Sequence, residues 1–303
     1  MENVSSTIDW LSVTFHEAAN HNPERFAFDN QNYLWEEVEP RNGYARTIAS
    51  RDGALVMFNT GDNRMGIHVV YPGSCLKAYG ERGTRSIDIV TDAVSKQGKV
   101  TRLDIAIDVI NGNVRGNEIW DNRRHKDRTG SARTFQRREL DDGGYTIEIG
   151  SRDSERFMRI YNKAAEQHID AEWWRLEVEC KGDVAKTYAR AIFMTPSVNL
   201  ASFTWAVATK MFNIPVHSYQ VFGTKTEKMG VPKVEKQTNT EAWIIEQVIP
   251  ALKKWVAEHP DSPVYDLVVD ALIEAKQSIA LTTTEINGKV ASNRAQFSGS
   301  TVS

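Results

Sequence analysis

Four short segments of the sequence carry acidic, basic and phenolic side chains at every second position. The run 102–109 alternates between polar and apolar residues, which is the pattern of a half-buried β-strand. The alternation recurs in 146–149, 157–163 and 173–180. The polar positions hold Arg102, Asp104, Asp108, Glu148, Arg159, Tyr161, Lys163, Arg175, Glu177 and Glu179. If the segments share one sheet, one face of that sheet carries several carboxylates, with arginine, lysine and a single tyrosine between them.

The carboxylates on this face suggest two different roles. Clustered carboxylates repel one another unless a cation or nearby arginine residues neutralise them. A hard divalent ion, Mg²⁺ or Mn²⁺, suits oxygen ligands and would polarise a phosphoryl oxygen as a Lewis acid. Its candidate ligands are Asp104, Asp108, Glu148 and Glu177. The alternative is a network of salt bridges to Arg102, Arg159 and Arg175, and the spacing alone favours this alternative.

Tyr161 is the candidate nucleophile of the polar face. A tyrosine hydroxyl attacks a phosphodiester when its pKa is lowered and its target is polarised. The alternation predicts that Arg159 and Lys163 share its face and lower its pKa. A tyrosine in a strand is more often a packing residue with a solvated hydroxyl, so both interpretations stay open at this point.

The elements that must position these residues predict an α+β fold. A strand is expected at 8–15, a hairpin at 55–58 and 65–71, and a helix at 84–96 that ends before Gly98. Two further helices, 184–194 and 200–212, are rich in apolar residues and are expected to cover the apolar side of the strands. The sequence therefore predicts a central antiparallel sheet with helices on one face.

A basic stretch between Arg115 and Arg138 joins two strands of the predicted sheet and has few aliphatic residues to bury. Its candidate DNA-contacting residues are Arg123, Arg124, Lys126, Arg128, Arg133, Arg137 and Arg138. One interpretation is a solvated surface loop. The other is a mobile arm that contacts phosphates, and the sequence weighs the two about equally.

Composition limits the class of protein. The chain has 303 residues, 41% of them hydrophobic, and a formal net charge of −3, so a large core is expected and coating of nucleic acid through bulk charge is not. It shows neither a signal peptide nor an apolar run long enough for a bilayer, which predicts a soluble cytoplasmic protein. Cys75 and Cys180 lack metal-ligand spacing and are expected to be buried apolar residues.

The chain divides by pattern into four parts. Residues 1–222 are expected to form the main domain, and residues 223–240, which contain lysine, glycine and proline, a loop or linker. A C-terminal helical segment follows over 241–286, with helices expected at about 240–258 and 264–279. Residues 287–303 are rich in serine, threonine and asparagine and are expected to be disordered.

Several motifs resemble one known family. The run Tyr145–Lys163, with its Gly150-Ser151-Arg152 turn and its Arg159-Ile160-Tyr161-Asn162-Lys163 end, is similar to the central signature of trans-acting replication initiation factors. These proteins serve rolling-circle plasmids, filamentous phages and some conjugative elements. The segments Thr101–Asp108 and Ile8–Ser12 and the pair Arg175 and Glu177 also resemble the family, so the similarity spans roughly residues 8 to 255.

The resemblance implies a sequence-specific DNA nickase. A tyrosine hydroxyl would open one strand at the origin, leaving a 5′-phosphotyrosyl link and a free 3′-hydroxyl that primes synthesis, with assistance from Mg²⁺ or Mn²⁺. By position, Tyr161 would be the nucleophile and Asp104, Asp108, Glu148 and Glu177 the metal or general-base residues. Arg159, Lys163 and Arg175 would bind the scissile phosphate. The architecture would resemble HUH endonucleases, yet the seven histidines include no His-x-His motif.

The same resemblance implies the partners. These are double-stranded origin DNA, single-stranded DNA and a host helicase, with a homodimer as one arrangement and no membrane. A second cleavage would need a water activated by Glu177 or a partner subunit, because alternation turns Tyr145 toward the core. The main alternative is a non-catalytic origin- or single-strand-binding protein that uses Trp173, Phe157 and the basic stretch for stacking and charge. A third interpretation is a metal-dependent nuclease that uses water.

Overall fold

The computed structural model describes most of the first 212 residues and parts of the remainder. The described ranges are 3–16, 22–28, 34–60, 65–111, 134–139, 144–195, 197–212, 232–234 and 248–259, with single positions at 120, 141, 262, 266, 269, 270 and 273. The chain forms two compact units, Met1–Lys236 and Gln237–Ser303. The boundary falls within the segment expected to be a loop or linker.

The first unit contains one antiparallel sheet with ten strands in the described residues. The strands are β1 Asn3–Phe15, β2 Trp35–Val38, β3 Arg46–Ser50, β4 Leu55–Phe58, β5 Ile67–Pro72, β6 Lys99–Ile110, β7 Phe135–Glu139, β8 Tyr145–Ile149, β9 Arg156–Asn162 and β10 Trp173–Lys181. Their order across the sheet is β2-β3-β4-β5-β1-β6-β10-β9-β8-β7. The long strands β1 and β6 therefore lie near the centre, with β10 and β9 beside them.

Helices cover one face of this sheet. They are α1 Gly73–Glu81, α2 Ser86–Ser95, α4 Gly182–Met194 and α5 Leu200–Phe212. A short helix, α3 Lys163–Glu166, follows β9, and a 3₁₀ turn lies at Pro23–Phe26. Leu103, Ile105 and Ile107 of β6 are fully buried on the face that contacts α2, α4 and α5. This confirms the expected α+β architecture, since the alternating strands bury their apolar side under helices and leave the polar side opposite.

The second unit is described only in part. It contains α6 Ile249–Glu258, which lies within the helix expected at 240–258. Most of the helix expected at 264–279 and all of the tail at 287–303 lie outside the described residues. Among the helices that the structure describes, none has the length and hydropathy needed to cross a bilayer.

Several elements match the sequence expectations, and three do not. The hairpin of β4 and β5 is confirmed, and both cysteines are buried and unpaired. The helix α1 was missed because Gly73 and Gly80 obscure its apolar spacing. The strand β7 was missed because its sequence is dominated by charge. Lys163 was expected on a strand but begins α3, where the Asn162 side chain accepts hydrogen bonds from two backbone N–H groups.

Gly98 gives a test of the packing between α2 and β1. A Cβ added there would contact Val13 and lie 2.7 Å from Phe15 Cε1 and 2.8 Å from the Ala93 carbonyl oxygen. We expect Gly98→Ala to lower the free energy of unfolding by about 1–3 kcal/mol in chemical denaturation. Gly80→Ala is the control, because nothing lies within 4 Å of a Cβ there and alanine favours the helix by about 0.5–1 kcal/mol. Equal effects of the two substitutions would contradict the packing.

Candidate active site

The register of β6, β10, β9 and β8 arranges the polar side chains in cross-strand rows. The first row is Asp104, Glu179 and Phe157; the second is Ala106, Glu177, Arg159 and Glu148; the third is Asp108, Arg175, Tyr161 and Thr146. Residues directly opposite in an antiparallel pair point to the same face. The polar face expected from alternation therefore exists, and the rows determine which side chains meet.

Tyr161 and Glu177 meet in the middle of this face. The Tyr161 hydroxyl donates a hydrogen bond of 3.0 Å to Glu177 Oε2, and Arg159 Nη2 donates to Glu177 Oε1. Glu177 is almost completely buried and Tyr161 is 8% exposed. The phenol is thus on the polar side of the sheet, in contact with a carboxylate that can accept its proton.

The pKa of Tyr161 is raised, so the expectation that Arg159 and Lys163 bring it below its ordinary value was wrong. Burial is the main cause, and the charge of Glu177 adds to it, while Arg175 and Arg159 oppose it only in part. Arg159 is engaged by Glu177, and Lys163 Nζ lies 2.8 Å from Glu166 Oε2. The resting hydroxyl is therefore protonated, and any attack by it needs a base.

Arg175 is the most enclosed cation of the face. Its Nε and Nη2 donate to the two oxygens of Asp108 at 2.8 and 2.9 Å, and its Nη1 donates to Asp9 Oδ1 at 2.7 Å. Trp173 Nε1 also donates to Asp108, at 2.6 Å. Arg175 is 6% exposed, so it orders β1, β6 and β10 around Tyr161, and its guanidinium is already occupied by carboxylates.

Asp104 lies in a second ionic group beside Glu177. Arg102 Nη2 donates to Asp104 Oδ2 at 2.6 Å and to Glu179 Oε2 at 3.0 Å. Burial raises the pKa of Asp104 to about 7, with Glu177 and Glu179 adding to the rise against the opposing effect of Arg102. The carboxyl therefore changes its protonation near neutral pH.

Glu148 belongs to a different cluster from Glu177. Arg152 donates to Glu148, and Arg138 Nη2 lies 3.5 Å from its second oxygen. Arg159 stands between Glu148 and Glu177 in the row, and neighbouring strands are about 4.8 Å apart, so the two acids start from backbones separated by about 10 Å.

The four acids do not form the expected metal site. Each is held by arginine, and within the described residues no three His, Cys, Asp or Glu side chains lie together so as to hold a metal ion. The salt-bridge network that the spacing favoured is the arrangement observed. We therefore derive no catalytic step through a metal.

The exposed parts of the site are cationic. The arginine rim consists of Arg102, Arg138, Arg152 and Arg159, whose side chains are 31%, 60%, 52% and 29% exposed. The acids that they contact are at most 8% exposed. An anion that approaches from solvent therefore meets guanidinium groups before carboxylates, and the buried acids hold these groups in position.

The expected DNA-contacting residues are only partly described. Arg123, Arg124, Lys126, Arg128 and Arg133 lie outside the described residues. Arg137 and Arg138 lie in β7 rather than in a loop. Arg137 lies over the Tyr145 ring at 3.9 Å and 3.3 Å from Glu139, whereas Arg138 joins the rim. Phe157, a candidate for stacking, is 1% exposed and cannot present its face to a base.

Asp9 is a site residue that the sequence did not single out. The β1–β6 register shifts between Ile8 and Trp10, so Asp9 occupies a β-bulge. A Cβ on Gly73 would lie 2.9 Å from the Asp9 carbonyl oxygen and 3.1 Å from its Oδ1, so a glycine is needed beside it. The motif Ile8–Ser12 is the sequence feature that could have identified Asp9, but alternation alone does not reveal a bulge.

Comparison with known proteins agrees with this architecture. The structure of a rolling circle replication initiator protein from Geobacillus stearothermophilus is similar, with a TM-score of 0.58 and 21% identity over 69% of this chain and 86% of that chain. At this identity the similarity shows a shared fold. No curated protein matches the sequence.

The family follows from the sequence match. The family model described as replication initiation factor matches residues 98–257, which is more than half of the chain. The chain belongs to the replication initiation factor family, and the resemblance found in its motifs is confirmed. The matched region includes β6 to β10 and thus every row of the polar face.

Asp108 tests how strongly the buried ion pairs hold the sheet. Asp108→Ala leaves Arg175 buried with Asp9 alone, and we expect the free energy of unfolding to fall by about 3–5 kcal/mol. Asp88→Ala is the matched control, because the Arg85–Asp88 pair is exposed and its loss costs less than about 1 kcal/mol. Urea denaturation of both variants measures the difference, and similar small losses would contradict a structural role for the buried pair.

The raised pKa of Asp104 predicts that the free energy of unfolding depends on pH. Its pKa is about 7 in the folded chain against an ordinary value of 3.8, so the folded chain retains this proton where the unfolded chain has lost it. The contribution of this carboxyl to the free energy of unfolding therefore decreases as pH rises from about 4 to about 7, and it does not change further above that range.

We expect Asp104→Asn to remove this contribution. Measured by denaturation at each pH, the free energy of unfolding of the variant should increase relative to that of the wild type from pH 4 to pH 7. Asp88→Asn is the control and should give a nearly constant difference over this range, because a carboxylate of lowered pKa titrates below about pH 4 in both the folded and the unfolded chain. A pH-independent difference for Asp104→Asn would refute the raised pKa.

Proposed function

We propose that this protein initiates rolling-circle replication by nicking one DNA strand at an origin through Tyr161. The observation that carries the proposal is the hydrogen bond between the Tyr161 hydroxyl and Glu177 beneath the arginine rim. It supplies a nucleophile, a proton acceptor and groups that bind phosphate within one pair of neighbouring strands. Membership of the replication initiation factor family supports the same activity.

The chemistry begins with the phosphate. A phosphodiester of the bound strand contacts Arg159 and Arg102, the rim residues nearest to Glu177 and Asp104. Because Arg159 then shares its donors with the phosphate, Glu177 loses part of its positive partner and becomes a better acceptor for the phenol proton. The raised pKa of the resting tyrosine is compatible with this order, since the hydroxyl is deprotonated only when substrate is present.

The transfer step conserves the energy of the broken bond. The Tyr161 oxygen forms a bond to phosphorus while its proton passes to Glu177, and the bond from phosphorus to the 3′ oxygen breaks. The 3′ oxygen takes a proton from water and becomes the primer hydroxyl, and the 5′ phosphate stays on the tyrosine. Reversal of the step rejoins the ends without ATP.

Other parts of the proposal rest on the family alone. These are the requirement for Mg²⁺ or Mn²⁺, the duplex origin and single-stranded DNA as partners, a host helicase, and a homodimer. A second cleavage would use a water activated by Glu177 or the tyrosine of a partner subunit. The described acids do not assemble a metal site, so the metal is tested directly in the experiment below.

A non-catalytic DNA-binding protein is the second candidate. The raised pKa of Tyr161 and the pairing of every acid with arginine favour it, because a purely structural network would have the same contacts. The two candidates differ in whether DNA becomes covalently attached to the protein.

Tyr161→Phe tests the nucleophile. We expect the wild-type protein to nick supercoiled plasmid that carries its own origin and to become attached to the 5′ end, and the variant to bind the same DNA without nicking it. Tyr145→Phe is the control, because Tyr145 lies on β8 with its ring against Trp174, on the opposite face of the sheet. It should nick normally.

The same assay is run with EDTA and then with Mg²⁺ or Mn²⁺ restored, and we expect nicking only with the metal. Nicking by Tyr161→Phe would exclude Tyr161 as nucleophile. A wild-type product without attached protein would indicate a nuclease that uses water.

A further inference from the structure

A deep cleft opens where the first half of β1 lacks a second neighbour. β5 pairs with β1 only from Trp10 to Phe15, so among the described strands the stretch Asn3–Ile8 pairs with β6 alone. The cleft along this edge has a volume of about 1300 Å³ and is lined by Ser6 and Thr7 of β1. Its size and openness are sufficient for several groups of a flexible ligand.

Two tryptophans line this cleft from the polar face. Trp10 lies beside Asp104 in the register, and Trp173 donates its N–H to Asp108. Both side chains are half-buried. The Arg102 guanidinium lies 4.7 Å from the Trp10 ring centre, and that of Arg175 lies 6.0 Å from the Trp173 ring centre. Aromatic rings supported by arginine are the surfaces on which unpaired bases stack.

The cleft leads to the proposed nucleophile. Lys163 and Arg175 are among its lining residues. Lys163 Nζ lies 5.6 Å from the Tyr161 ring centre, and Arg175 is opposite Tyr161 in the β9–β10 register. A strand whose phosphate lies at Tyr161 can therefore continue into the cleft without crossing the sheet.

The open edge of β1 is poorly suited to a peptide strand. The Ile8 backbone N–H already donates to Ser86 Oγ at 3.3 Å. Gly73 packs so closely on the Asp9 carbonyl that an added Cβ would lie 2.9 Å from it. A peptide that extended the sheet would need these backbone groups free, whereas a stacked base does not.

We propose that this cleft binds unpaired bases of single-stranded DNA next to the nick, with Trp10 as the main stacking surface. The inference rests on the proposed function, because the bound strand is the one that Tyr161 attacks. Trp173 forms the second wall, and its hydrogen bond to Asp108 couples base binding to the position of Arg175.

Trp10→Leu tests the cleft with a sequence-independent probe, a fluorescent 20-nucleotide oligothymidylate. Loss of one stacked base is worth about 1–3 kcal/mol, so we expect Kd by fluorescence anisotropy to rise by about 5- to 150-fold. Trp10→Tyr should recover most of the affinity, because it keeps an aromatic face. The affinity for a duplex of the same length should stay within about twofold, since its bases are not available for stacking.

Trp35→Leu is the matched control. Trp35 lies on β2 at the far end of the sheet and, like Trp10, is half-buried. It packs on the core under the helices, whereas Trp10 packs beside the separate small cluster of Tyr44, Met57 and Val70. It should bind oligothymidylate as the wild type does. Wild-type affinity in Trp10→Leu, or an equal loss toward duplex and single strand, would overturn the proposal.

A second measurement needs no substitution and covers the case in which Trp10→Leu does not fold. A single-stranded oligonucleotide with 5-bromodeoxyuridine is photo-crosslinked to the wild-type protein, and the attached peptide is mapped by mass spectrometry. We expect the link at Trp10 or Trp173, and links confined to other peptides would overturn the proposal.

Attachment of origin DNA to the wild-type protein is scored in parallel. If DNA becomes attached but Trp10→Leu binds oligothymidylate normally, only the proposal for the cleft is rejected. If Trp10→Leu loses affinity but no DNA becomes attached, the nickase is rejected and the cleft remains a binding site for single strands.

Discussion

Buried carboxylates on the open face of the sheet must be matched by arginine, and this constraint organises the whole site. Asp108, Glu177 and Glu148 are each 1–5% exposed and each contacts at least one guanidinium. A carboxylate in such a position without a partner would destabilise the fold by several kcal/mol. For Asp108 and Glu177 the antiparallel register satisfies the constraint, because it places Arg175 and Arg159 directly across from them on adjacent strands. Glu148 is instead contacted by Arg152, four residues along the chain.

The same pairing explains how a buried acidic face can serve a polyanion. The acids lie beneath, and the arginine rim presents its remaining donors to solvent. In the proposed mechanism a phosphate would compete with the carboxylates for these donors, so that binding of DNA and release of Glu177 would be linked through Arg159. The resting Tyr161 is a protonated phenol with a raised pKa. In the proposed mechanism it would stay protonated until that exchange, which would protect unrelated phosphodiesters from attack by the resting protein.

Alternation in the sequence was sufficient to predict strands β6, β8, β9 and β10, their two faces and the group of polar side chains. It predicted that Tyr161 shares a face with Glu177, and the hydrogen bond between them agrees with that prediction. Alternation does not reveal register, however. Glu148 and Glu177 were both candidate ligands of one metal ion, yet Arg159 separates them because β9 lies between their strands. The role of Asp9 depends on a β-bulge. A bulge changes which face of the sheet the following residues point to, so alternation in the sequence no longer predicts the face.

The electrostatics of the site were the least predictable part. Proximity of Arg159 and Lys163 in the sequence suggested a lowered pKa for Tyr161, but each cation has an acid as its partner and burial dominates. Helix α1 and strand β7 were missed for a related reason, since glycines and charges conceal elements that tertiary contacts stabilise.

The proposed mechanism requires that one phenol, held by Glu177, becomes attached to the cut strand. The most direct measurement is mass spectrometry of the peptide that carries DNA after reaction with a single-stranded origin oligonucleotide. We expect a phosphonucleotide on Tyr161 within the β9 peptide. Attachment to any other residue, or a cut strand with no adduct at all, would contradict it.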